Sequence, residues 1–184
     1  MSVMALRMPQ ALRRYARDRR GVSAVEFALL APLMIGLYLG CAEISDGVAA
    51  DRKVSLIAAT LANLTSQVST ITTSDMTNIL DASTAIVAPY AANKLKMSIS
   101  CLNIDSTGKA TVKWSVTRNG TVKSGVLSIP SALAVPNSQL IFAEASYAYT
   151  PTVGYTITGT LTLSDQMYMA PRITAPTYGS TACT

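Results

Sequence analysis

The chain has 184 residues, 15 basic and 10 acidic side chains and no histidine, which excludes Ser-His-Asp and Cys-His nucleophilic sites and His-ligated metals. Its net charge of +5 resides entirely in the first 21 residues, where Arg7, Arg13, Arg14, Arg17, Arg19 and Arg20 stand against Asp18. The remainder is neutral, so the positive charge reads as a membrane-proximal tag and gives no support to a nucleic-acid partner.

In chain order, a basic leader (1–21) precedes the apolar run VSAVEFALLAPLMIGLYLGCA (22–42). At about 1.5 Å per helical residue this run crosses the roughly 30 Å hydrocarbon core of a bilayer. The arginines Arg13, Arg14, Arg17, Arg19 and Arg20 before the span put the N-terminus in the cytoplasm and the bulk of the chain outside. Glu26 is the only charge in the run, and a carboxylate near hydrocarbon needs a cation at its own depth. Cleavage between Gly21 and Val22 would create one, an α-amino group four residues ahead of Glu26.

A basic leader ending in Gly21, followed by an apolar segment with Glu26 at its fifth position, resembles the class III signal of type IV prepilins. The wording GVSAVEFALLAPLM is similar to the N-terminal signature of TadE/TadF-type minor pseudopilins of the tight-adherence (Flp) pilus system. That resemblance covers residues 19–45, with a looser echo in Ala145-Ser146-Tyr147-Ala148-Tyr149-Thr150-Pro151 and Met169-Ala170-Pro171-Arg172. It implies that Gly21 ends the leader, Val22 is the mature N-terminus and Glu26 is the assembly carboxylate. Phe27 stands where major Flp pilins have Tyr, and about 140 residues follow the span, both of which favour a minor subunit. The implied partners are a prepilin peptidase, other pseudopilins and pilins, the inner-membrane assembly platform and membrane lipid. The implied location is the bacterial inner membrane, single-pass, with the outer domain periplasmic and its incorporation in the pilus open.

Three other readings of the N-terminus compete. An uncleaved signal anchor would carry Glu26 near headgroup water. A cleavable secretory peptide has a shorter apolar region than this and a small-x-small cleavage site that is missing here. Leu39-Gly40-Cys41 approaches a lipoprotein box, with Tyr38 where Leu is expected.

Beyond the span the helical period continues through Ile44, Val48, Val54, Ile57, Leu61, Leu64 and Val68, which predicts one helix from Val22 to Val68, lipid-embedded and then amphipathic. Pro32 opens one of its hydrogen bonds. A second helix is expected after Thr72 as N-cap, with Asp75 completing a capping box, Met76, Ile79, Leu80 and Val87 inward, and Pro89 as the stop. The period then changes to two. Leu95, Met97, Ile99 and Cys101 alternate with polar residues, as do Val112, Trp114 and Val116, and Asp105-Ser106-Thr107-Gly108 between them predicts a hairpin. Asn119-Gly120 marks another turn, Leu140 to Tyr149 a third strand, and Tyr155 to Met169 holds a fourth. A polar tail without regular structure is expected from Pro176.

These elements predict an α+β, pilin-like fold in which the long N-terminal helix covers a roughly four-stranded antiparallel sheet. The expected divisions are the leader (1–21), the transmembrane segment (22–42), a periplasmic helical region (43–90) and an antiparallel β domain with its tail (91–184). Cys101 and Cys183 lie on the outer side, where an oxidising compartment permits a disulfide closing roughly 80 residues, worth about 3–4.5 kcal/mol. The alternative makes Cys101 a small core residue on the face of Leu95, Met97 and Ile99.

No cofactor, metal or enzymatic constellation is expected. Ser106 and Lys109 have the S-x-x-K spacing of penicillin-binding enzymes, but they sit in a turn where that motif requires a helix start. Glu43 and Asp46 read as a solvated helix face, and Tyr147, Tyr149 and Tyr155 as sheet or core residues or a contact surface. A non-enzymatic minor pseudopilin is therefore expected, with an unprocessed single-pass protein carrying a periplasmic binding domain as the alternative and an anchored hydrolase disfavoured.

Overall fold

The computed structural model describes residues 20–152, 154 and 159–184. The chain divides into two compact units between Ala42 and Glu43. The first is the leading part of helix α1 (Arg20–Ser66), which contains Pro32. Arg13, Arg14, Arg17 and Arg19, and the expected strand residues Tyr155 and Ile157, lie outside the described residues.

The second unit is α+β. Its central sheet has the order β4 (Val126–Leu127), β3 (Ala110–Arg118), β2 (Leu95–Ile104), β5 (Ser138–Tyr149), β6 (Leu161–Met169), with every neighbouring pair antiparallel. Five strands stand where four were expected; the fifth, β4, is two residues long and pairs only Ala110 and Thr111.

From residue 43 onward α1 lays Ala50, Val54, Ile57, Ala58, Leu61 and Ala62 into the core, and each is almost fully buried. The spacing is that of one helical face, and its alanines let the helix lie close to the strands. That face meets Met97, Ile99 and Cys101 of β2, Trp114 of β3, and Ile141, Ala143, Ala145, Tyr147 and Tyr149 of β5. Ile44 (69 % exposed) and Val48 (47 %) do not join it, contrary to the expected stripe. The core-facing row enters at Ala50 and Val54, which turns those two outward on the same helix.

Helix α2 (Thr73–Ala85) begins as its local chemistry requires. The Asp75 amide donates to Thr72 Oγ1 (3.1 Å) and the Thr72 amide to Asp75 Oδ2 (3.0 Å), a complete capping box. The helix ends at Ala85, four residues before Pro89. Met76, Leu80 and Val87 add to the core, and Lys53 Nζ donates to the Ile86 carbonyl (3.1 Å), a cation placed on carbonyls at a helix C-terminus.

The hairpin between β2 and β3 turns on Asp105, whose Oδ1 accepts from the amides of Thr107 and Lys109, with Gly108 at φ +84°. A register shift opposite Cys101 and Leu102 leaves Lys113 without a partner on β2. One extra residue reverses the facing of everything before it. Trp114 and Val116 therefore face the helix, while Val112 lies on the other side of the sheet in a second cluster with Leu102, Ile104, Ala110, Leu140 and Phe142. The segment carrying Leu127, Ile129 and Leu133 covers that second cluster.

The tail beyond Pro176 is ordered, against expectation. β7 (Thr177–Tyr178) pairs in parallel with β1 (Thr70–Ile71), Trp114 Nε1 donates to the Pro176 carbonyl (3.0 Å), and Cys183 is 1 % exposed and bonded to Cys101. Arg172 anchors the approach, its amide donating to the Ser66 carbonyl (2.9 Å) and its guanidinium to Asn63 Oδ1 (2.7 Å). These partners are remote in sequence, so tail polarity alone gave no sign of them.

Candidate anchoring and assembly site

In the first unit the large apolar side chains point outward. Phe27, Leu29, Leu33, Met34 and Tyr38 are all more than 60 % exposed, and the most apolar 18-residue window of α1 has a mean hydropathy of 1.9 with none of it buried. Such a surface is stable only against lipid or other apolar helices. Among the described residues, α1 is the one helix long and apolar enough to cross a membrane.

Gly21, Val22, Glu26 and Phe27 are helical and exposed, and Arg20 is the first described residue of the helix. A Cβ at Gly21 would meet nothing within 4 Å, so packing in this chain does not require glycine there. Glu26 has no hydrogen bond or ion pair among the described residues. It is thus a carboxylate presented outward from an apolar helix with no cation of its own chain described beside it.

The second unit holds a polar cluster where α1 enters it. Glu43 Oε2 accepts from the Gly154 amide (2.6 Å), and a Cβ on Gly154 would approach that oxygen to 2.8 Å, so close contact favours glycine. Glu43 is therefore engaged by a loop, a correction to its reading as a solvated residue, and the loop lies 111 positions away in sequence. Tyr90 Oη donates to the Asp46 carbonyl (3.0 Å), and its ring packs at 6.0 Å from Tyr147 and 6.4 Å from Tyr149. Burial, and then the charge of Asp46, raise the phenol pKa values of Tyr90 and Tyr149. Tyr147 and Tyr149 are 4 % and 8 % exposed and belong to the core.

A second polar constellation, absent from the sequence reading, lies on the sheet face away from α1. Lys96 is opposite Ser146 and Ser98 opposite Glu144 across β2 and β5, and the turn at Asn119 and Gly120 overhangs them. Its signal was present as the polar half of the alternation in both strands, with Glu144 the only charge within β5. Among the described residues no group of His, Cys, Asp and Glu is arranged to hold a metal ion.

In sequence, then, an α+β unit follows a helix long and apolar enough to cross a membrane, as a single-pass anchor requires. The family model of TadE-like proteins matches residues 21–62, from the glycine before the apolar run to the last alanine of the core-facing row. Over that segment the chain is similar to TadE-like proteins, in agreement with the resemblance of its N-terminal wording. No curated protein and no solved structure matches it.

Proposed function

We propose that this chain is a minor pseudopilin, a structural component of a tight-adherence pilus acting in its initiation or at its tip. The reading rests on the TadE-like match over residues 21–62, which contains Glu26 as the one charge of an outward-facing apolar run. A prepilin peptidase removes the leader after Gly21, and the new amine of Val22 pairs with Glu26 of its own or a neighbouring subunit. The anchor lies in the inner membrane with the leader cytoplasmic and residues 43–184 periplasmic. Pseudopilins, pilins and the assembly platform are its partners, and it catalyses nothing.

N-terminal sequencing of membrane-extracted protein tests this, with a mature chain beginning at Val22 as the expected result. Gly21→Leu should abolish cleavage, and because the space around Gly21 is open, that loss would reflect the peptidase's need for a small residue. An intact terminus in the presence of the peptidase would instead identify an unprocessed single-pass protein.

A further inference from the structure

The cleft on the open face of the sheet has a volume of about 250 Å³, just below the usual range of small-ligand pockets. Its side chains are polar: Lys96, Ser98, Asn119, Thr121, Lys123, Glu144 and Ser146. Met97 also borders it, but belongs to the buried core cluster on the helix side.

Connected hydrogen bonds hold its walls. Lys123 Nζ pairs with Glu144 Oε2 at 2.8 Å, and Ser98 Oγ donates to the same oxygen at 3.4 Å. The Lys123 amide donates to Ser115 Oγ (3.1 Å), which accepts from the fully buried Ser100 hydroxyl (2.8 Å). Asn119, at φ +56°, donates through Nδ2 to the Leu95 carbonyl (3.1 Å). Gly120 lies so near the strands that a Cβ would stand 2.7 Å from Thr117 Oγ1. Asn119, Lys123 and Glu144 are thus held before any ligand arrives, which lowers the ordering cost of binding at that wall.

Among the described residues, several groups here have no partner: the Lys96 ammonium, the hydroxyls of Thr121 and Ser146, and Oε1 of Glu144. A fixed carboxylate accepts hydrogen bonds from ligand hydroxyls, and serine and threonine hydroxyls both donate to and accept from them. With Lys123 neutralised by Glu144, Lys96 is the unbalanced charge and calls for an anion.

We propose that this cleft binds one acidic monosaccharide unit, its ring hydroxyls on Glu144, Ser146 and Thr121 and its carboxylate on Lys96. The site is independent of leader processing and of the Glu26 pair.

The test is saturation-transfer NMR on the full chain in nanodiscs, with galacturonate, galactose and acetate as probes. Galacturonate ring protons should receive saturation, with a millimolar dissociation constant at least five-fold tighter than that of galactose. Lys96 is exposed, so Lys96→Gln leaves the fold intact; it should erase the preference for galacturonate while keeping galactose binding. Glu144→Gln should abolish transfer to both sugars with an unchanged amide spectrum elsewhere, and Ser146→Val should weaken both. Lys109→Gln, in the hairpin turn, should change nothing. Absence of transfer to galacturonate, equal competition by acetate, or full binding by Lys96→Gln together with Ser146→Val would each overturn the proposal.

Discussion

Replacing Cys101 and Cys183 together by alanine should cost the outer unit a large share of its stability. The bond joins residues 82 positions apart, Cα to Cα 5.9 Å, so its removal frees the unfolded chain of a loop of that length. On the chain-entropy relation this is about 4.5 kcal/mol at 25 °C, to which the lost sulfur volume at two buried positions adds. The loss is partly local. Cys183 fastens the end of a tail otherwise held by the Trp114 bond to Pro176, the Tyr178 ring 5.8 Å from Trp114 and the two-residue pairing with β1. For a unit of this size 4.5 kcal/mol corresponds to a fall in melting temperature of roughly 10–15 °C.

The assay is thermal unfolding of the full chain in detergent, followed by near-ultraviolet dichroism of Trp114, the only tryptophan. Thiol counting runs beside it. One alkylated cysteine, Cys41, is expected in the denatured unreduced protein, because it is exposed and free, and three after reduction. Since Cys101 and Cys183 are 0 % and 1 % exposed, reduction under native conditions should be slow and should accelerate in denaturant. A double-alanine variant melting within about 2 °C of the wild type, or two further thiols in the unreduced chain, would refute the reasoning.

Leu61→Ala removes a fully buried side chain between helix and sheet and should destabilise by about 2–5 kcal/mol in denaturant titration. The Asp75 carboxyl is held below its ordinary pKa chiefly by the Thr72 hydroxyl, and Asp105 chiefly by the Thr107 hydroxyl. Groups depressed on folding contribute stability that is present above the unfolded carboxylate pKa and is lost as pH falls through the folded value. The melting temperature should therefore drop below about pH 4, and Thr72→Ala with Thr107→Ala should flatten that acid limb. Glu26→Gln should be inserted and cleaved normally yet assemble poorly. Losing one partner of a desolvated pair costs about 3–5 kcal/mol, two to nearly four decades of association, read as co-purification with other pseudopilins. Normal piliation by that variant would make Glu26 a passive feature of the anchor.

What could be read from the sequence was set by how local each determinant is. The capping box of Thr72 and Asp75 spans four residues, and the hairpin turn on Asp105 spans five, so both follow from their own chemistry. The polarity of α1 was legible for the same reason, whereas its phase was not. Ile44 and Val48 satisfy the helical period, but the side that is buried depends on where β2 and β5 lie, and that is decided by contacts roughly 50 to 100 residues away. The β3 bulge is subtler, since the alternation of Val112, Trp114 and Val116 is faultless in sequence. Only pairing with β2 reveals the extra residue, and with it the second cluster.

The site residues divide along the same line. Gly21, Val22, Glu26 and Phe27, the proposed processing and assembly residues, fall within seven residues of one helix, so a single window of the sequence holds them. The cleft takes its side chains from β2, β5 and the turn after β3, joined through Lys123 and Glu144, and no window of the sequence contains them together. In sequence its serines read as the polar half of strands whose other half builds the core. On that face Ser98 and Ser100 are buried, Ser115 is linked to the Lys123 backbone and a carboxylate is paired with a lysine. That hydrogen-bonded order joins three strands and a turn, so alternation within any one strand does not show it.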